Sequence, residues 1–289
     1  MDGIIESITE WLKGMLVDGT MSNLTGLFDS VNEEVSDIAT RVGQTPAAWN
    51  SSIYMMIRTL STNVIVPIAG LILAFVMTVE FIQMIIDRNN FHDFDLSNIY
   101  KWMFKTVCAV LIVTNTWNIV MGVLDVSQNV VNNASGVIIG QVTLDFDRLI
   151  PDLQSKLEAL ELGEILGLWI QSFLVGFCMK ALSICIFIIT FGRMIEIYLV
   201  TSVAPIPMAT MMNRESGHMG QNYLKSLGAL GLQAFLIIIC VAIYAALVRN
   251  IAVSGDISTA IWTCMGYTVL LCFSLFKTGS LSKAILGTH

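Results

Sequence analysis

The sequence predicts an all-α, polytopic membrane protein, and three observations carry that expectation. Only 13% of the 289 residues are charged while 55% are hydrophobic, against about 25% charged in an ordinary globular domain. Mean hydropathy is +0.74, and several apolar runs reach the roughly 18 residues that suit a membrane-crossing helix. Those runs are continuous and do not alternate with period two, which excludes a β-barrel. Backbone polar groups in lipid must then be satisfied inside each segment, as helices. About five transmembrane helices are expected, six if residues 193–212 also cross, with amphipathic extracytoplasmic helices beside them.

Residues 1–53 read as an N-terminal amphipathic helical segment outside the membrane. Ile4, Ile5, Ile8, Trp11, Leu12, Met15 and Leu16 recur at helical spacing. Gly19 and Thr20 are expected to interrupt that helix. A second one follows, with Leu24, Leu27, Phe28, Val31, Val35, Ile38 and Val42 on one face. Eight acids stand against Lys13 and Arg41, a poor balance for adsorbing onto anionic lipid. Docking faces for the membrane domain or a neighbouring subunit, and helices lying on the membrane interface, are the two readings. The N-terminus carries Asp2 and Glu6 and lacks a basic region, so no secretory signal is expected.

The first two transmembrane helices fall in 54–123. The first runs from about Leu60 to Ile86, with Pro67 and Gly70 where a kink is expected and Glu80 near its far end. His92 beside Asp93 and Asp95 is read as solvated loop surface, since three such residues in one short loop are a weak ligand set. The second runs from about Phe104 to Val123. Thr114, Asn115, Thr116 and Asn118 cluster around Trp117 at its centre. Amides in hydrocarbon need partners, so this cluster is expected to face other helices, as glue between them or as the lining of an aqueous path.

Residues 124–164 read as a large acidic extracytoplasmic loop with a short helix bearing Phe146, Leu149, Ile150, Leu153, Leu157 and Leu160. The C-terminal region, 165–289, opens on the stretch Ile165 to Met212, around which the chain is organised. It is almost wholly apolar, yet it holds Lys180, Arg193 and Glu196 and is broken by Pro205 and Pro207. A charge inside a span is costly, so Lys180 is a candidate site by default. It pairs with Glu80, at similar depth if the spans alternate, or it snorkels to the near interface. Arg193 and Glu196 mark an interface, and the Pro-interrupted segment 197–212 is expected to be re-entrant or interfacial. Spans from about Ser226 to Val248 and from Ile257 to Phe276 complete the set.

With five spans, Arg88, Lys101, Lys105, Arg214, Lys225, Lys277 and Lys283 share one side. The positive-inside rule then puts the N-terminus outside and the C-terminus in the cytoplasm. The six cysteines all lie in apolar runs without a CxxC pair and read as small buried hydrophobes. The chain lacks Walker A, HExxH, GxSxG and GxGxxG motifs. No enzymatic chemistry, cofactor or metal is expected. The net charge of −7 argues against a DNA-coating surface.

At Glu196-Ile-Tyr-Leu, at Ala204-Pro205-Ile-Pro207-Met-Ala-Thr210 and at Asn222-Tyr-Leu-Lys225 leading into a Gly-containing apolar span, the chain resembles TrbL-type conjugal-transfer proteins. These are polytopic inner-membrane subunits of type IV secretion systems, related to the sixth VirB component. The resemblance covers the chain from about residue 50 onward. It implies a structural channel subunit in the bacterial plasma membrane that helps pass single-stranded DNA with its bound relaxase, as a transient substrate. It also implies a homo-oligomer in contact with other secretion subunits and the secretion ATPases. A DNA path usually shows basic residues that track phosphates, and the outer loop here is acidic, so that loop is expected to bind protein while another subunit touches DNA. The rival reading is a small-solute transporter or ion channel with a Lys180–Glu80 pair and the Thr114–Asn118 cluster as its midplane site.

Overall fold

The computed structural model describes residues 2–86, 96–142, 150–213, 215–251 and 257–288. Among these the chain is helical and has no strand. The helices are α1 (Asp2–Val42), α2 (Pro46–Trp49), α3 (Ser51–Leu60), α4 (Val66–Ile86), α5 (Leu96–Thr114), α6 (Thr116–Val142), α7 (Ile150–Glu158), α8 (Leu162–Ser202), α9 (Pro205–Thr210), α10 (Gly217–Ile251) and α11 (Ile257–Ile285). Five helical segments are long and apolar enough to cross a membrane: Ser51–Ile86, Leu96–Thr114, Leu162–Ser202, Gly217–Ile251 and Ile257–Ile285. The expected all-α polytopic class is therefore the observed one.

The chain divides into two compact units. One comprises Met1–Gly43, Val131–Thr190 and Leu236–Thr278; the other comprises Gln44–Val130, Phe191–Phe235 and Gly279–His289.

In the first unit α1 is a single helix, where the sequence suggested two with a break at Gly19 and Thr20. The reason is packing. A Cβ on Gly19 would sit 2.8 Å from the Trp169 Nε1, so glycine here admits the indole of α8 rather than ending a helix. Thr20 is fully buried beside it. Asn23 Nδ2 donates to the Ser172 hydroxyl at 3.0 Å. Leu24, Leu27, Val31, Ile38 and Val42 are buried, as the apolar spacing requires. The face with Ile4, Ile8, Trp11 and Met15 is exposed. Helix α7 packs on α1, and its Leu157 is fully buried. Tyr244 and Thr268 join hydroxyls at 2.8 Å between α10 and α11.

The second unit is built on capped, short helices that enter the first span. The Thr45 hydroxyl accepts from the Ala48 amide, with Pro46 at the first helical position, and Asn50 caps α3 by accepting from the Ile53 amide. Between α3 and α4 lies a π-turn, Ser61–Ile65, in which the Val66 amide donates to the Ser61 carbonyl. It sits just before Pro67, whose ring and missing N–H disrupt an α-helical ladder, so this turn is the local form of the expected kink.

The expected second span is also divided. Helix α5 stops at Thr114 and α6 starts at Thr116. The side chains of Thr114, Asn115 and Thr116 each donate to a carbonyl four residues back, those of Val110, Leu111 and Ile112. Back-bonds of this kind compete with the main-chain ladder, yet the Asn115 amide still donates to the Leu111 carbonyl and the Ile119 amide to the Asn115 carbonyl, each at 3.1 Å, so the interruption is one residue long. Past the break, the Asn-rich stretch expected to be loop continues α6 to Val142. One face of it is buried at helical spacing, through Leu124, Gln128, Val131 and Ser135, and at the start of α6 Trp117, Val120, Met121 and Leu124 share a core with Met194, Ile197 and Tyr198 of α8 and Leu227 and Leu230 of α10.

Candidate functional site

Helix α8 runs unbroken through the charged turn expected to mark an interface. Arg193 and Glu196 are three residues apart and so lie on neighbouring parts of one helix face. Arg193 is only 4% exposed. Its Nε and Nη2 each donate to the Leu230 carbonyl of α10 at 3.4 Å. A carbonyl oxygen has two lone pairs and can serve its own helix and a guanidinium together. Glu196, one turn on, supplies the opposing charge. Its Oε1 accepts from Lys283 Nζ at 3.0 Å, joining α8 to the end of α11. The arrangement is a relay of polar contacts across α10, α8 and α11 in which a buried charge is held without a fully buried ion pair. Its chemistry is positional: it fixes register between apolar helices whose burial alone is non-directional in lipid.

The Pro-interrupted segment lies directly after this turn. The Thr201 and Ser202 hydroxyls donate to the carbonyls of Tyr198 and Leu199, and α8 ends. Pro205 opens α9 at its first position, where no amide is required. Pro205 is buried and Pro207 half-buried. Helix α9 packs against α4 and α5, with Ala209 in a core with Ala69, Leu73, Met77, Ala109 and Val113. The Thr210 hydroxyl donates to the Pro207 carbonyl at 2.9 Å. A Cβ on Gly220 of α10 would approach that same carbonyl oxygen to 2.7 Å, so a glycine is required for α10 to leave α9 this closely.

Glu80 has Lys105 as its partner where the sequence suggested Lys180. It accepts from Lys105 Nζ, between α4 and α5, and both side chains are largely buried. The depth argument that suggested Lys180 ignored a base on the adjacent helix of the same hairpin. Lys180 belongs to the other unit, is exposed, and lines a groove between α1 and α8 with Asn23 and Ser30. It has no hydrogen-bond or ion-pair partner among the described residues. Asn115 and Asn118 are exposed, whereas the sequence suggested a cluster facing other helices. The cluster divides: Thr116 and Trp117 turn inward, and the Trp117 Nε1 donates to the Tyr54 hydroxyl at 3.1 Å.

Sequence reasoning missed three groups. Lys105 and Lys283 were counted as interface bases, yet each is the partner of an intramembrane candidate acid. Glu34 lies on the buried stripe of α1, three residues after Val31 and four before Ile38, and that spacing was the signal that could have found it. Burial pushes its carboxyl above the ordinary value; a hydrogen bond with Ser183 opposes this and the Asp37 charge adds to it. Glu34 Oε2 is buried without a partner among the described residues. A groove of about 420 Å³ opens beside it, lined also by Glu33, Asp37, Arg41 and Thr190.

Among the described residues no group of three His, Cys, Asp or Glu side chains could hold a metal. His92, Asp93 and Asp95 lie outside the described residues. A family model described as "TrbL/VirB6 plasmid conjugal transfer like protein" matches residues 31–205, from the middle of α1 to the first proline of α9. Searches of curated proteins and of solved structures returned no match.

Proposed function

The chain belongs to the TrbL/VirB6-like family of plasmid conjugal transfer proteins, and from that premise we propose that it is a structural channel subunit of a type IV secretion machine, helping single-stranded DNA with its bound relaxase across the plasma membrane. The family match, which takes in more than half of the chain, carries this reading. The five apolar helices support it by placing the chain in the membrane. Its partners on this reading are other secretion subunits, the secretion ATPases and further copies of itself. The N-terminus lies outside and the C-terminus in the cytoplasm, as the Lys and Arg distribution suggests.

The chain acts as a scaffold rather than an enzyme. Its polar groups within the helical bundle serve contact between helices: buried Arg193 with a carbonyl, the partly exposed Glu196 with Lys283, and Glu80 with Lys105. The transporter reading needed Glu80 and Lys180 together, and Glu80 has Lys105 as its partner, which leaves that reading without its central pair.

The test is deletion of the gene in a donor strain, scored by DNA transfer, together with affinity purification of the tagged chain from detergent-solubilised donor membranes. Loss of transfer with co-purifying secretion ATPases is the expected result. Normal transfer and a lone complex would overturn the proposal. Reporter fusions at both termini test the orientation.

A further inference from the structure

Helix α6 carries an unusual exposed edge. From the break at Asn115, the positions 115, 118, 122, 125 and 129 follow the 3–4 spacing that keeps side chains in line along a helix. They are Asn115, Asn118, Gly122, Asp125 and Asn129, and all are exposed. Asn118, Asp125 and Asn129 have no hydrogen-bond or ion-pair partner among the described residues. Beside this edge runs a second one, each member one residue further on: Ile119, Val126 and Val130, also exposed. The exposed arc of α6 is thus divided lengthwise into a polar strip and an apolar strip.

The strip lies beside membrane-crossing elements. Helix α6 follows α5, a candidate span, after the one-residue break, and its inward face shares a core with α8 and α10, both candidate spans. The strip is about 21 Å long at 1.5 Å per residue, a large part of the hydrocarbon thickness. Amides and a carboxylate left facing hydrocarbon without partners are strongly disfavoured. The apolar strip suits lipid; the polar one does not.

We infer that the Asn115–Asn129 edge of α6 faces water at membrane depth and forms part of the wall of an aqueous path, with the Ile119–Val130 edge marking where lipid or apolar protein begins. Water satisfies the Asn118 and Asn129 amides and the Asp125 carboxylate with no fixed geometry. A packed helix would have to supply a base for Asp125 and matched donors and acceptors for each amide. The strip carries no Lys or Arg, so it wets a passing polyanion without holding its phosphates. Water exposure of the strip is independent of the secretion reading; its use as a path for DNA rests on that reading.

The test is cysteine substitution at Asn118, Asp125 and Asn129, and separately at Ile119, Val126 and Val130, in cells carrying the complete transfer system. A charged, membrane-impermeant maleimide is the probe, with the wild-type chain and its native cysteines as background. Labelling of the first three and not of the second three is expected. Unreactive positions 118, 125 and 129 would mean that another helix or a second copy covers the strip, and equal labelling of both edges would place α6 outside the membrane; either overturns the inference. Modifying N129C with a bulky maleimide during mating should cause loss of transfer, while the same treatment of V130C should not. Labelling of the strip with transfer unchanged would remove it from the DNA path. Deletion of the whole chain, which tests the secretion reading, is scored apart from both.

Discussion

The Tyr198 hydroxyl donates to the Pro46 carbonyl at 2.6 Å, with the Asn50 carbonyl at 3.4 Å. One phenol in α8 thereby holds the first residue of α2 and the Asn50 junction between α2 and α3, and Trp49 packs its ring against both Tyr198 and Phe191. The entry to the first span is fixed by a side chain about 150 residues away in sequence, without charge. Tyr198→Phe keeps the ring and removes the donor. It is expected to lower stability by about 0.5–1.5 kcal/mol, the net worth of one hydrogen bond, because the Pro46 and Asn50 carbonyls keep the Asn50 and Tyr54 amides as donors. Thermal unfolding of the purified chain in detergent measures this, and an unchanged midpoint would refute the role.

The pair between Glu80 and Lys105 makes a second prediction. Glu80→Gln or Lys105→Met alone leaves a largely buried charge uncompensated and should cost on the order of 2 kcal/mol, below the figure for a fully buried pair. The exchange Glu80→Lys with Lys105→Glu should recover part of that loss. Lys180→Ala combined with Glu80→Ala should show additive losses, because Glu80 already has Lys105 as its partner. Coupling between 80 and 180 with none between 80 and 105 would reverse the assignment.

Gly220 and Gly70 form a contrasting pair. A Cβ at 220 meets the Pro207 oxygen, whereas at 70 it meets nothing within 4 Å. Gly220→Ala should destabilise by roughly 1–3 kcal/mol through forced main-chain movement. Gly70→Ala, in mid-helix, should stabilise by roughly 0.5–1 kcal/mol. Equal effects at the two sites would show that the α9–α10 approach is loose.

Glu34 sets a pH dependence with a definite sign. Its carboxyl is held above the ordinary value of 4.5 by burial, so the folded chain binds this proton more tightly than the unfolded one. That contribution to stability is fully present below 4.5 and is lost as pH rises through the raised value. Acidification from neutral should therefore strengthen the seating of α1 on α8 through this group, read as slower proteolysis within α1. Glu34→Gln should flatten this component of the profile. A wild-type profile of opposite slope that Glu34→Gln abolishes would disprove the link.

The span helices were legible because their signal is local: a continuous apolar run needs no knowledge of its neighbours. The buried stripe of α1 was legible for the same reason. What periodicity does not carry is pairing between helices. Lys105 and Lys180 look alike from Glu80 when only depth is considered, and the choice rests on which helix shares the hairpin. Gly19 reads as a breaker in isolation and as a contact once Trp169 is beside it. The Asn-rich stretch after Val123 reads as loop until Leu124, Gln128, Val131 and Ser135, at helical spacing, are seen to be buried. At the charged turn, Arg193 and Glu196 stand out in the sequence as charges within an apolar run and Lys283 does not, because its contact with Glu196 depends on where α11 ends.

The π-turn at Ser61–Ile65 has a geometric consequence for everything that follows it. In an α-helix each residue advances the azimuth by about 100°, and a π-turn inserts one residue with almost no net advance. Counted that way, Tyr54 and Ile57, which meet the Trp117 core, share one meridian with Ala69, Leu73 and Met77, which meet α5 and α9. Were the same residues wound as an unbroken α-helix, the second group would be turned about 100° away. The turn is thus a phase corrector between two contact surfaces on one span. Excising a single residue from Ser61–Ile65 would straighten the helix and leave both surfaces in phase; excising one from the middle of α4 would rotate Leu73 and Met77 off their neighbours.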